Sequence, residues 1–515
     1  MHPAVPMVPG MRGLVPTVSP FLPDAASPTD VPEARSRQVI HLLDGQTLDL
    51  EASWVRRTIG DRTFLMYGFN GQYPGPLIQV SEGATINVNF TNRVDLPTSV
   101  HWHGVRLDNR YDGVPGLTQN PVLPGETFQY RVFFRDPGIY WYHPHHREDI
   151  QQELGLYGNM LVAPIAPGYY NPVHREETLI LDDLLIGPEG LIPFGLESAN
   201  YMLMGRFGNV MLVNGEPNWR MQVGRGEVMR IYLTNVSNTR TFNVGFGDLP
   251  LKVIGSDIGK FEREAWADSV VIAPAERYII EVRFPVDGVV PLTNRVQGVN
   301  HRYGSYLPES DELGIFEVDG AILRDHEATF SMLRENVDVI ADIDRYRSEF
   351  DRPVDHELLL TLEVKNLPIV IEQLMSFDRV YFNPMEWSGT MPMMNWLTSG
   401  NEIRWLLREP ATGREDEAIE WIFQLGEVKK IRLRNDRDAF HAMQHPVHLH
   451  GQRFLVLAVN GVPSENLAWK DTAVVPSGGT VDILLELSNP GKWMLHCHVA
   501  EHLESGMKMV FIVEE

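Results

Sequence analysis

Cysteine is nearly absent from this chain, since its 515 residues include a single one, Cys497. One cysteine cannot form an intrachain disulfide, which excludes the cross-linked scaffold typical of small secreted domains. The chain also lacks an apolar run of about 18 residues, so we expect no transmembrane helix. Residues 1–33 are rich in proline and have neither a basic start nor a continuous apolar segment, so no signal peptide is recognisable. Either such a signal was removed or the protein stays inside the cell.

Positive charge is scarce as well. The chain has 44 Lys and Arg against 68 Asp and Glu, which gives a formal net charge of −24 and a pI of about 5.2. Such an excess of negative charge disfavours binding to a nucleic-acid backbone or to an anionic membrane surface. It would tolerate or attract metal cations and basic partners, although a need for solubility alone explains most of it.

Glycine and proline, by contrast, are plentiful. The 43 Gly and 36 Pro favour turn-rich β structure. Alternating apolar and polar residues, as in residues 85–90, predict half-buried strands. The length allows about three domains, each large enough to bury a core.

Histidine recurs in His-x-His pairs, whose two side chains point to the same face of a strand. Random placement of 18 histidines in 515 positions would give about 0.6 such pairs, so the observed four are not accidental. Residues 99–104 resemble residues 446–451, and residues 137–145 resemble residues 490–498, which indicates an internal repeat of a whole domain. The pairs are His101/His103, His143/His145, His448/His450 and His496/His498.

The residue types in and around these pairs predict copper. Eight neutral imidazoles suit Cu, Zn, Fe or Ni. A trigonal His2Cys site with a weak axial methionine is the blue-copper electron-transfer arrangement. Zinc is the usual ion for a Cys/His cluster, but a redox-inert ion has no need of a thioether ligand. The second group of candidate ligands consists of His445, Cys497, His502 and Met507.

Cys497 lies between His496 and His498 in sequence. Because a strand alternates its side chains between two faces, the thiol and the two imidazoles can point in opposite directions. One short strand could then hold two metal sites back to back, joined by a few covalent bonds. A lone cysteine is more often a small buried apolar residue, but the surrounding histidines favour the metal site.

These motifs resemble those of the three-domain multicopper oxidases, which include laccases, bilirubin oxidases and bacterial cuprous and ferrous oxidases. The resemblance covers about residues 36–515. It implies an all-β fold of three consecutive cupredoxin-like Greek-key β-sandwich domains. The motifs are His-Trp-His-Gly at 101–104, Trp-Tyr-His-Pro-His at 141–145, His-Pro-Val-His-Leu-His-Gly at 445–451 and His-Cys-His-x3-His-x4-Met at 496–507.

The resemblance also implies four copper ions with defined ligands, and no ligand position of the family pattern is missing. A type 1 copper would bind His445, Cys497, His502 and Met507. A type 2 copper would bind His101 and His448. A type 3 pair would bind His103, His143, His145, His450, His496 and His498.

The implied activity is one-electron oxidation of a substrate at the type 1 copper and four-electron reduction of O2 to water at the other three. Cys497 would pass electrons to the cluster through the histidines on either side of it. Asp112 matches a family acidic residue near the type 2 copper, so we expect it to relay protons or orient a water, although an Asp before Gly113 is also common in turns. Leu503 stands where many bacterial relatives have a glutamate that donates protons, and Glu501 or Glu504 could replace it.

We predict the following organisation. Domain 2 should be a copper-free spacer, because it has no His-x-His pair. The three-copper cluster should lie between domains 1 and 3. The segments are a Pro-rich arm at 1–35, domain 1 at 36–165, domain 2 at 176–325, a linker at 326–355 and domain 3 at 356–515.

The substrate is the least determined property. We expect phenols or aromatic amines, with a Cu(I) or Fe(II) oxidase as the alternative and a non-catalytic copper-binding protein as a remote one. Thioethers suit Cu(I), but methionine is also a common core residue. The resemblance favours export to the periplasm or the extracellular space, and the oligomeric state stays open, with a monomer as one possibility. The methionines behind the Cu(I) alternative are Met375, Met385, Met391, Met393 and Met394.

Overall fold

The computed structural model describes residues 22, 28–196, 198–300, 305–321, 326–366, 384–388, 402–441 and 443–515. Most of the elements in these ranges are β-strands, which form three consecutive pairs of sheets. The predicted all-β fold class is therefore confirmed.

The first pair of sheets has nine strands. The alternation at residues 85–90 forms a strand as predicted, with Ile86, Val88 and Phe90 buried. The strands are β1 (Val39–His41), β2 (Thr47–Ile59), β3 (Arg62–Phe69), β4 (Leu77–Ser81), β5 (Thr85–Asn92), β6 (His101–His103), β7 (Thr127–Phe133), β8 (Gly138–His143) and β9 (Gly158–Ala163). One sheet has the order β1-β4-β9-β8-β6 and the other the order β3-β2-β5-β7.

The second pair contains the sheets β13-β10-β15-β20-β17-β18 and β14-β22-β21-β16-β19, with a small β11-β12 ribbon at the side. Its strands, in chain order from β10 to β22, are Arg175–Leu184, Ile186–Gly187, Gly190–Leu191, Val210–Val213, Trp219–Arg225, Glu227–Asn235, Phe242–Phe246, Leu251–Ser256, Gly259–Ala267, Ser269–Ile272, Arg277–Phe284, Gly288–Asn300 and Ser305–Ala321.

The third pair contains two sheets, with the orders β25-β23-β27-β33-β29-β30 and β26-β35-β34-β28-β32. Strand β31 pairs with β29 of the first of these sheets. Strand β24 pairs with β21 of the second sheet pair. Its strands, from β23 to β35, are His356–Val364, Met385–Ser388, Ile403–Arg408, Trp421–Gln424, Val428–Asn435, His445–Leu449, Arg453–Val459, Val462–Pro463, Trp469–Lys470, Thr472–Val475, Thr480–Glu486, Gly491–Cys497 and Lys508–Glu514.

The helices are short, and all but Pro28–Asp30 lie between strands in the described ranges. None of those in the described ranges has both the length and the apolar character needed to cross a bilayer. The domain boundaries given above stay predictions. Among the residues that the structure describes, the α-helices are α1 (Glu148–Gln151), α2 (Ser198–Met204), α3 (Glu327–Ser331), α4 (Val337–Asp344) and α5 (Ala500–Glu504), and the 3-10 helices are Pro28–Asp30, Asn109–Tyr111, Arg347–Glu349 and Asp416–Ala418.

Part of the third sheet pair shares an apolar core with the first. Leu455, Trp469 and Leu484 of the third pair belong to the same cluster of buried side chains as Val100 and Trp102 of the first. Burial of so much apolar surface fixes the two pairs against each other. The strands that carry the histidine motifs therefore meet at a well-packed junction.

The internal repeat in the sequence corresponds to a repeated strand pairing. In the first sheet pair, β6 runs antiparallel to β8, and His101 is directly opposite His143. In the third, β28 runs antiparallel to β34, and His448 is directly opposite His496. Each half thus presents two adjacent His-bearing strands to the junction.

Candidate metal centres

The junction collects the eight histidines of the four pairs, which are all buried. The ring centroids of His101 and His450 are 4.1 Å apart, and those of His103 and His448 are 3.7 Å apart. Each of these contacts joins a histidine of the first half of the repeat, in the first sheet pair, to one of the second half, in the third sheet pair. Groups with candidate ligand atoms within 4.8 Å of one another include His101/His448/His450, His101/His103/His143 and His145/His450/His496.

In four of the rings, contacts with backbone carbonyls fix which nitrogen faces the other histidines. Nδ1 of His101 donates to the carbonyl of Asp112 (2.7 Å), and Nδ1 of His448 donates to the carbonyl of Asp471 (2.9 Å). Because a carbonyl only accepts, the proton is on Nδ1 and the lone pair is on Nε2. The Nδ1 atoms of His143 and His496 likewise contact the carbonyls of Pro144 and Cys497.

The nitrogen atoms that face the junction are the ones a metal would use. Within the described part of the chain, Nε2 of His101, His143, His145 and His448 has no hydrogen-bond partner, although each atom is buried. An unsatisfied buried polar atom is costly, so several of them within one buried cluster fit bound metal ions. Burial lowers the pKa of seven of the rings, which favours the neutral, metal-binding form, and those seven are His103, His143, His145, His448, His450, His496 and His498.

A second group of ligands surrounds the thiol. Sγ of Cys497 is 3.6 Å from Nδ1 of His445 and 3.8 Å from Nδ1 of His502. The two Nδ1 atoms are 3.3 Å apart, so three ligand atoms surround one point. Met507 is buried in the same core, and its carbonyl accepts a hydrogen bond from the backbone N–H of Cys497 (3.1 Å).

The electrostatics of this second group also fit a metal. Burial raises the pKa of the Cys497 thiol above its usual value, and the nearby charge of Glu501 raises it further. Burial lowers the pKa of His445 to about 3, so that ring is neutral at neutral pH. A bound metal ion would supply the positive charge that turns the thiol into a thiolate ligand.

Asp112 contacts histidines from both halves of the repeat. Its carboxylate accepts a hydrogen bond from Nδ1 of His450 (2.9 Å), and its backbone carbonyl contacts His101. The carboxylate is fully buried. Asp112 thus orients a ring from each half of the repeat, His450 through its carboxylate and His101 through its backbone carbonyl.

Glu501, in α5, contacts a residue of the loop between β15 and β16. Its Oε2 accepts a hydrogen bond from Thr239 (3.1 Å), and burial raises its pKa to about 8, so it is mostly protonated at neutral pH. Leu503 is buried in α5. Of the predicted methionine group, Met385 is buried in the core, while Met375, Met391, Met393 and Met394 lie outside the described residues.

The sequence analysis missed several residues that contact the histidines. Asp471 accepts from Nε2 of His103 (3.1 Å), Glu148 lies 3.3 Å from Nδ1 of His145, and the Trp405 ring packs 4.2 Å from that of His502. Burial alone would raise the pKa of Asp471, but the charge and hydrogen bonds of Arg277 hold it well below the usual value. The only sequence signal for Asp471 is a charged residue directly before a buried strand.

Gly104, the last residue of the His-Trp-His-Gly motif, leaves room for the ion pair between Asp471 and Arg277. Its φ is +81°, and a Cβ there would overlap the Asp471 carboxylate and lie 2.8 Å from Nη2 of Arg277. We expect Gly104→Ala to lower the unfolding free energy by about 1–2 kcal/mol from backbone strain and by about 1–3 kcal/mol more from the overlap. Urea unfolding of the copper-free protein measures the sum.

Gly125→Ala is the matched control for Gly104→Ala. Gly125 has a φ of +86°, but a Cβ there would meet nothing within 4 Å. It should therefore show the strain alone. Equal losses for the two variants would mean that the space beside Asp471 is not restricted.

Comparison with known proteins gives a consistent result. The family models described as multicopper oxidase match residues 51–166, 176–288 and 385–515. The multicopper oxidase MmcO of Mycobacterium tuberculosis is 28% identical over 86% of this chain and 82% of its own length. Laccase-2 of Botryotinia fuckeliana is 26% identical over 86% of this chain and 78% of its own length. The structure of a metallo-oxidase from Campylobacter jejuni shares the fold, with a TM-score of 0.70, 20% identity and coverage of 98% and 100% of the two chains.

Proposed function

Because this chain belongs to the multicopper oxidase family, we propose that it couples one-electron oxidation of phenols or aromatic amines to four-electron reduction of O2 to water. The observation that carries the proposal is the strand β34, which ends in Cys497 directly after His496. Cys497 belongs to the thiol group of ligands, and His496 and His498 contact the other histidines. One strand therefore links an electron-accepting site to an oxygen-reducing one.

We assign the ligands as follows. His145, His450 and His496 form one compact group, and the rings of His103, His143 and His498 are within 5.7 Å of one another. These two triads would hold the type 3 pair, and His101 with His448 would hold the type 2 copper. His445, Cys497, His502 and Met507 would hold the type 1 copper. Copper ions bound there would supply the one-electron redox steps and the O2 chemistry.

The chain's own residues would then have distinct roles. The buried histidines exclude bulk water from the cluster and present their lone pairs to it. Asp112 orients His101 and His450 and is placed to hold a proton or a water near O2. Trp405 covers both imidazoles of the thiol site, because its ring centroid is also 4.8 Å from that of His445.

We choose organic substrates over Cu(I) and Fe(II) because of where Met385 lies. Met385 is 1% exposed and packs in the core that contains Cys497, which supports a packing role rather than a role in Cu(I) binding. A Cu(I) or Fe(II) oxidase remains the second candidate, because thioethers suit Cu(I). Export from the cytoplasm and the oligomeric state stay predictions.

Oxygen uptake by the copper-reconstituted protein tests the function. We expect kcat/KM for a simple diphenol to exceed the values for Cu(I) and Fe(II) by more than about tenfold, a ratio within the range that pocket contacts alone can produce. The copper-free protein is the control for autoxidation. A preference for the metal ions would make the protein a metallo-oxidase, and no uptake with any reductant would make it a copper-binding protein without turnover.

A further inference from the structure

One guanidinium group contacts all three sheet pairs. Arg277 begins β20 in the second pair and is fully buried. Its Nε donates to the carbonyl of Ile139 on β8, the strand that carries His143, at 3.0 Å. Its Nη1 and Nη2 donate to the two carboxylate oxygens of Asp471 at 2.7 and 2.5 Å. Asp471 stands directly before β32 in the third pair.

Asp471 in turn contacts one histidine from each half of the repeat. Its Oδ1 is 3.1 Å from Nε2 of His103, and its backbone carbonyl accepts from Nδ1 of His448 at 2.9 Å. The hydroxyl of Thr472 donates to the same Oδ1 at 2.9 Å. The path from the second sheet pair to the histidine cluster is therefore Arg277, Asp471 and His103.

The contact with Asp471 gives His103 the opposite tautomer from His101 and His448. Nε2 of His103 faces the carboxylate, which accepts but cannot donate, so Nε2 carries the proton and Nδ1 carries the lone pair. Among the described residues, Nδ1 of His103 has no hydrogen-bond partner. A bidentate Arg–carboxylate pair has a fixed, planar geometry, so the Asp471 oxygens cannot rotate away from this ring.

We infer that Arg277 is a positioning residue for the histidine cluster: the second sheet pair, to which we assign no metal ligand, orients His103 and His448 through Asp471. The inference rests on the proposed copper chemistry. It gives the middle part of the chain a role in the reaction beyond that of a spacer. The competing explanation is that Arg277 only joins the three sheet pairs. In that case its loss would lower the stability of the whole molecule without a selective effect on copper binding by the cluster.

Arg277→Lys separates the two explanations, because lysine keeps the charge but cannot make the bidentate pair. We expect the histidine cluster to bind copper about 10- to 100-fold more weakly, the range seen when a residue behind a metal ligand is changed. The readouts are copper per chain under competition with a chelator of known affinity and the electron paramagnetic resonance signal of the type 2 copper. The visible absorption of the thiol site should stay unchanged.

Arg230→Lys is the matched control. Arg230 is also buried in the second sheet pair and pairs with Glu176 and Glu281, at 2.6 and 2.8 Å. Neither of these carboxylates contacts a histidine of the cluster. This variant should lose stability without any selective loss of cluster copper. A double variant, Arg277→Lys with Asp471→Asn, should bind cluster copper no more weakly than Asp471→Asn alone, since Arg277 acts through Asp471.

The outcomes are distinct. Full copper retention by Arg277→Lys, or parallel loss of copper from both sites as the protein unfolds, would overturn the inference and leave the proposed function intact. A wild-type protein that binds no copper and shows no visible band would overturn the proposed function and the inference with it.

Discussion

Cys497→Ser should remove the intense visible absorption and reduce oxidase activity by more than about 100-fold, because contacts behind metal ligands already account for 10- to 100-fold. A hydroxyl is a poor substitute for a thiolate, and its oxygen cannot replace the sulfur that lies 3.6 Å from Nδ1 of His445. The substitution changes the chain by one atom, so the fold should survive it. Absorption spectra and O2 uptake at equal protein concentration measure both effects.

The loss should be confined to the thiol site. The histidine cluster keeps all of its ligands in this variant, so the type 2 signal in electron paramagnetic resonance should remain. Met509→Leu is a suitable control, because Met509 is buried in the same core and leucine has a similar volume. Intense visible absorption retained by Cys497→Ser would show that the type 1 assignment is wrong.

Asp112→Asn should slow reoxidation by O2 about 10- to 100-fold while leaving reduction of the thiol site by substrate nearly unchanged. The carboxylate ensures that Nδ1 of His450 carries the proton, because it only accepts. An amide can instead turn its NH2 group toward that ring, which would place the proton on Nε2 and remove the lone pair that faces the cluster. Stopped-flow reduction without O2, followed by mixing with O2, separates the two steps.

Asp108→Asn is the control for this experiment. Asp108 is a half-exposed aspartate four positions upstream, and it caps the 3-10 helix Asn109–Tyr111 by accepting from the backbone of Arg110. It contacts Arg110 and no histidine. Both steps should be normal in this variant. Equal slowing of both steps in Asp112→Asn would indicate misfolding or copper loss and would contradict the assigned role.

The His-x-His spacing predicted that the imidazoles would gather into metal sites, whereas the type 2 and type 3 ligand sets came from the resemblance to the multicopper oxidases. The alternation rule places His101 with His103 and separates Cys497 from its neighbours, and the structure has both features. The all-β fold followed from the same periodicity and from the turn residues. Asp112 was predicted because it matches an acidic residue of the family eleven positions after His101.

Contacts between distant parts of the chain could not be predicted in this way. His103 and Asp471 are 368 positions apart, and Arg277 and Asp471 are 194 apart. No local pattern distinguishes Arg277 from the other arginines of the middle segment, because its role depends on how three sheet pairs pack. Glu148 follows a histidine pair in sequence, yet its burial depends on the elements folded around it.

The junction of the first and third sheet pairs has a consequence for biosynthesis. The histidines of β6 and β8 leave the ribosome long before those of β28 and β34, and the compact groups include rings from both halves. A nascent chain therefore carries half of the cluster with no partner for most of its synthesis. If the cluster binds copper as proposed, loading of the complete cluster would be a late step of maturation, because the last strands of the chain must dock first.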